Sequence, residues 1–126
     1  MKPPTKPRLP KELATGQRRI LEKDVEKAVC DYAVKLGWWH RKFSSPSHRS
    51  VPDQIMITPF HMVLFVEFKR PKEKPTPAQI REATRLQEVG QRVYCCDDIE
   101  KGKELVRALS NNVKWAEHFV QMPEVM

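Results

Sequence analysis

At 126 residues, with 40% hydrophobic and 31% charged content, the chain has the size and balance of one globular domain. Its 23 Lys and Arg against 16 Asp and Glu leave a formal charge of +7, which favours an anionic partner, nucleic acid ahead of an acidic lipid surface. Cys30, Cys95 and Cys96 form neither an even disulfide set nor a zinc-ligand spacing, and no apolar run is long enough for a transmembrane helix.

Residues 1–19 read as a separate basic arm. Pro3, Pro4, Pro7 and Pro10 alternate with Lys2, Lys6, Arg8 and Lys11, a pattern of extended, solvated chain without the apolar core of a signal peptide. It suits either a strap on a phosphate backbone or a plain leader. A cytoplasmic setting and no membrane association are expected.

The folded core is expected over residues 20–110. Leu21, Val25, Ala28, Val29, Tyr32, Ala33 and Leu36 recur at helical spacing, and Gly37 ends that helix. Trp38–Phe43 is strand-like, with at least one of Trp38 and Trp39 expected in the core. The polar loop SSPSHRS leads to a second strand over Asp53–Thr58. Pro59-Phe60-His61 turns the chain into a third, strongly apolar strand over Met62–Lys69. After the loop RPKEKP, Thr76-Pro77-Ala78-Gln79 opens a helix to about Val89, which Gly90 closes. Arg92–Cys96 is a fourth strand, and Asp97 or Asp98 caps a helix to about Leu109. The order α-β-β-β-α-β-α gives a mixed α/β sheet flanked by helices, with the third strand near its centre. Residues 111–126 form a tail in which Trp115, Phe119 and Met122 share one helical face, as core cover or as a homodimer contact.

The third strand ends in charge. Side chains alternate across a sheet, so Val63, Phe65, Glu67 and Lys69 share one face. Charges that continue a half-buried face are costly unless paired or bound. A Glu67–Lys69 ion pair at the strand end would satisfy them without any function. Asp53 shifts the balance. It lies seven residues before Phe60, as Glu67 lies seven after, so a tight antiparallel turn places the two carboxylates opposite each other. A divalent cation is the usual reason to hold like charges there, and Mg²⁺ takes one or two carboxylates with water and phosphate oxygens. Lys69 then stands where it can steady charge on a phosphoryl group. Asp, then Glu-x-Lys, at the end of a hairpin suits phosphodiester hydrolysis.

Pro52-Asp53 followed by Glu67-Phe68-Lys69 resembles the PD-(D/E)xK nuclease signature, on the matching element order. The wording VEFKRP and Gln79 in the next helix resemble a narrower group within it, the virus-type replication-repair nucleases (VRR-NUC). The resemblance covers about Leu21–Leu109. Ser50 stands where family members often carry Gly, three residues ahead of the Asp.

This resemblance implies a restriction-endonuclease-like fold and DNA cleavage with Mg²⁺ or Mn²⁺. It makes Asp53 and Glu67 metal ligands, with the Phe68 backbone carbonyl, and Lys69 the catalytic lysine. It also implies an active-site role for Gln79, although Thr76-x-x-Gln79 equally spells a helix-capping box. Glu22 is the favoured acid of the first helix and a further candidate ligand, with Glu26 as second choice. Arg41, Lys42, His48 and Arg49 before the site, and Arg70, Lys72 and Lys74 after it, are candidate phosphate contacts or simply solvated loops. Branched DNA of the Holliday-junction kind, a homodimer and a phage origin follow from the same analogy. The rivals are a DNA-binding module without catalysis, and a flap or single-strand nuclease that needs a partner.

Overall fold

A computed structural model describes residues 19–110, which hold the seven elements in the expected order. The proline-rich arm and the Trp115, Phe119 and Met122 stripe lie outside the described residues. No helix among the described residues is long and apolar enough to cross a membrane.

Helix α1 spans Glu22–Lys35 and buries Val25, Val29, Cys30 and Ala33, one stripe at helical spacing. Its start is closed by Asp24, whose Oδ2 accepts from the Leu21 N–H at 2.8 Å. At its end Gly37 adopts φ +90°, and the N–H groups of Gly37 and Trp38 reach the Val34 and Ala33 carbonyls, each at 3.0 Å. That pair of bonds requires a left-handed residue, which glycine supplies without strain.

The sheet has the order β1-β2-β3-β4, with β1 Trp39–Lys42, β2 Gln54–Ile57, β3 Val63–Phe68 and β4 Arg92–Cys96. The first three strands are antiparallel, and β4 runs parallel to β3 after the crossover through helix α2, Pro77–Glu88. Thr58 builds the β2–β3 turn: its hydroxyl accepts from the Phe60 and Met62 N–H groups at 3.1 and 3.2 Å. The turn sets Ile57 opposite Val63 and carries the register through to Gln54 opposite Val66.

Leu64, Val66 and Phe68 of β3 are almost fully buried with Met56, Trp38 and Cys96 in the core that α1 and helix α3, Ile99–Ser110, complete. Trp38 donates its indole N–H to Ser110 Oγ at 2.7 Å, while Trp39 is exposed. Asp98 is the cap of α3, accepting from the Lys101 N–H at 2.9 Å. Where α3 crosses α1, a Cβ added to Gly102 would sit 2.5 Å from a Val29 methyl and 2.8 Å from Cys96 Sγ. Gly102→Ala is therefore expected to lower stability by about 1–3 kcal/mol, despite alanine's better helix propensity. An unchanged melting temperature would contradict that close packing.

Candidate active site

Asp53 precedes β2 by one residue, and one further step along the register places it opposite Glu67. Its Oδ2 accepts from the Phe68 N–H at 2.8 Å, so the carboxylate takes the place of a ladder acceptor beside the end of β3. The Asp53 carbonyl meanwhile holds the Phe43 N–H at 2.8 Å. The residue is thus fixed between β1 and β3 through both main chain and side chain.

Glu67 and Lys69 occur where apolar residues would normally stand: their exposures are only 7% and 6%. Lys69 Nζ lies 3.7 Å from Glu67 Oε2, beyond a direct hydrogen bond but within strong Coulomb reach. Burial pushes the Glu67 carboxyl up to about 7; the nearby Asp53 charge adds to this, and Lys69 only partly offsets it. Asp53 is also raised, chiefly by burial, against the stabilising bond from the Phe68 N–H.

Gln79 caps α2 and also reaches Glu67. Its Oε1 accepts from the Thr76 N–H at 2.9 Å, and its own N–H donates to Thr76 Oγ1 at 3.1 Å, completing the capping box of α2. Its Nε2 donates to Glu67 Oε2 at 2.8 Å. One carboxamide therefore ties the start of α2 to the acid of β3.

The two acids of α1 differ in their partners. Glu26 Oε2 accepts from Lys42 Nζ at 2.9 Å and from Gln54 Nε2 at 2.6 Å, so its charge is already engaged. Glu22 is raised by burial first and then by Asp53, with Lys69 lowering it, which puts it in the field of the Asp53–Lys69 centre. Gln54, which holds Glu26, was not legible as its partner from the sequence. Only 5% exposed, it also receives a hydrogen bond at 3.0 Å from His40 Nδ1, since its amide nitrogen is committed to Glu26. Its one signal in the sequence is a polar residue on the core-facing alternation of Gln54, Met56 and Thr58.

Arg41, Lys42, His48, Arg49, Arg70, Lys72 and Lys74 are all exposed. Lys42 and Arg70 border a groove with Glu22, Glu26 and Glu73, and each faces an acid of the protein, Lys42 at Glu26 and Arg70 at Glu73 (Nε to Oε1, 3.7 Å). Arg41 lies over the Trp39 ring, 4.6 Å from its centroid. His48 lines a different hollow with Phe43, Val51 and Arg85. Lys72 takes φ 71°, held there by its N–H to Asp97 at 3.1 Å.

The fold resembles a solved structure of a VRR_NUC domain, with a TM-score of 0.63 and 30% identity, covering 68% of this chain and 94% of that one. A protein named "Putative nuclease p44" from Acyrthosiphon pisum secondary endosymbiont phage 1 is 42% identical over 80 residues, which are 64% of this chain and 86% of that protein. The chain belongs to the VRR-NUC family. No family model matches it. The half-buried Ser50 lies in the loop that delivers Asp53 opposite Glu67.

Proposed function

We propose that this VRR-NUC domain is a Mg²⁺- or Mn²⁺-dependent deoxyribonuclease, acting on branched DNA as a homodimer in the cytoplasm of a bacterial or phage-infected cell. The observation that carries the catalytic reading is the buried set of Asp53, Glu67 and Lys69 with Gln79 bound to Glu67. Burial and then the facing Asp53 charge hold the Glu67 carboxyl above its ordinary range, with Lys69 only partly offsetting them, and a cation bound at the set would favour its ionised form.

The donors suit the proposed ion. Among the described residues no group of three His, Cys, Asp or Glu stands at metal-binding spacing. Two carboxylates with a backbone carbonyl are hard oxygen donors, which fit a cation that keeps water and phosphate oxygens in its remaining positions. Asp53, Glu67 and the Phe68 carbonyl would hold it; Glu22 does not form a group of three with them and would add its charge from farther out. Bound there, the cation would polarise the phosphoryl group and acidify water. Gln79 keeps the Glu67 carboxylate oriented, and Lys69 supplies fixed positive charge for the oxygens of the transition state. Water's oxygen bonds to phosphorus, the bond to the leaving oxygen breaks, and the water proton passes to solvent or to that oxygen. The exposed Arg41, Lys42, His48, Arg49, Arg70, Lys72 and Lys74 would meet backbone phosphates without reading sequence.

Branched substrates and dimerisation rest on one consideration. A single Asp53, Glu67 and Lys69 set cuts one strand at a time, so paired cuts need a second copy related by two-fold symmetry. The test is cleavage of linear, flap, single-stranded and four-way DNA with Mg²⁺, Mn²⁺ or EDTA, alongside sedimentation with and without junction. Metal-dependent cutting of the junction by a dimer is expected. Cutting that survives EDTA overturns the metal role, and a monomer throughout leaves the flap or single-strand nuclease in its place.

A further inference from the structure

Resting on the nuclease reading, we infer that the cleft between α2 and the sheet receives one unstacked nucleobase adjacent to the scissile phosphate. The cleft has a volume of about 230 Å³ and is lined by Ile80 and Ala83 of α2, Val93 of β4, Gln87, and at one end Glu67 and Gln79. It is therefore continuous with the catalytic set. Helix α2 has no fully buried residue; Ala83 and Leu86 are only half-buried, and Ile80 remains 51% exposed. The apolar stripe that would ordinarily close onto the sheet instead forms one wall of an open slot.

The chemistry of the walls selects among parts of a nucleotide. No Lys or Arg lines the cleft, and Glu67 stands at its end, so a phosphate has nothing to bind there. Neutral apolar walls with the Gln87 amide and the Ser50 hydroxyl suit a flat heteroaromatic ring with polar edges. The Thr84 hydroxyl also borders the cleft but is spent on the Ile80 carbonyl at 2.9 Å. The slot is too small for a base pair, so the base must be unpaired on arrival or leave its stack. This defines a substrate class: DNA with a single-stranded or easily opened nucleotide at the cut, as at a flap, a gap or a branch point.

An abasic-site walk tests it. The scissile bond of a flap or single-stranded oligonucleotide is first mapped with Mn²⁺. Tetrahydrofuran abasic residues are then placed one position at a time, and affinity is measured by fluorescence anisotropy in Ca²⁺. Affinity should fall roughly tenfold at one position next to the cut, and little elsewhere. In Ala83→Trp, where an indole occupies the slot, that dip should vanish. A flat profile in a chain that binds and cuts DNA overturns the base site and leaves the nuclease reading intact. A chain that neither binds nor cuts overturns both. The unmodified chain alone decides the matter if Ala83→Trp does not fold.

Discussion

Lys69→Ala should slow single-turnover DNA cleavage by about 10²–10³-fold while DNA affinity stays within about threefold. The contrast follows from where the ammonium lies. It is 6% exposed and 3.7 Å from Glu67 Oε2, with little surface to offer any phosphate except one at the reacting centre. Its field acts on the reacting centre, where low polarity magnifies a fixed charge. On the proposed reading affinity comes from many exposed cations, of which the loss of one buried lysine removes little. The measurement is cleavage at saturating enzyme, with anisotropy in Ca²⁺ as the binding control. If Lys69→Ala only raises the DNA concentration needed for full rate, the lysine is a phosphate clamp and the catalytic assignment fails. Lys69→Arg keeps the charge while changing the shape of the group that carries it.

The residues that could be placed from sequence share a physical reason. Asp53 and Glu67 were bound to face each other once the turn at Pro59-Phe60-His61 was tight, because side chains alternate and one register fits a half-buried hairpin. Lys69 followed from the same alternation. Gln79 shows how a sequence motif underdetermines a role: the capping box predicts its Oε1 bond to Thr76, and the remaining Nε2 reaches Glu67 only because α2 starts beside β3.

What could not be read depends on how α1 and α3 sit on the sheet. Glu22 and Glu26 lie one turn apart with similar local sequence. Their roles separate only through Lys42 and Gln54, 16 and 28 residues away, which occupy Glu26. Periodicity carries no such information. Gly102 in α3 looks like a mere lapse in helix propensity until Val29 and Cys96 are found against it. The open cleft beneath α2 was equally hidden, since Ile80 and Ala83 have the spacing of an ordinary buried stripe.

Glu67→Gln should abolish metal-dependent cleavage and, in the metal-free protein, raise the melting temperature at pH 8 but not at pH 5. The sign follows from proton linkage. In the folded state the Glu67 carboxyl lies near 7 against an ordinary 4.5, so the native state binds that proton more tightly than the unfolded chain. The resulting stability is present in full below about pH 4.5 and is lost as pH rises through about 7. At pH 8 the wild-type chain carries a buried charge facing Asp53, which glutamine replaces with a neutral group of the same shape. The difference between 4.5 and about 7 sets an upper value of about 3 kcal/mol, and a gain of about 1–3 kcal/mol is expected once relaxation is allowed. Gln79 can still donate to the new carbonyl oxygen, so the α2 contact survives. Mn²⁺ should raise the melting temperature of the wild-type chain at pH 8, less so at pH 5 where the ligand must first lose its proton, and leave Glu67→Gln almost unmoved. A variant less stable than wild type at pH 8 would mean that Lys69 fully satisfies an ionised Glu67, which is the behaviour of a structural ion pair and not of a metal ligand.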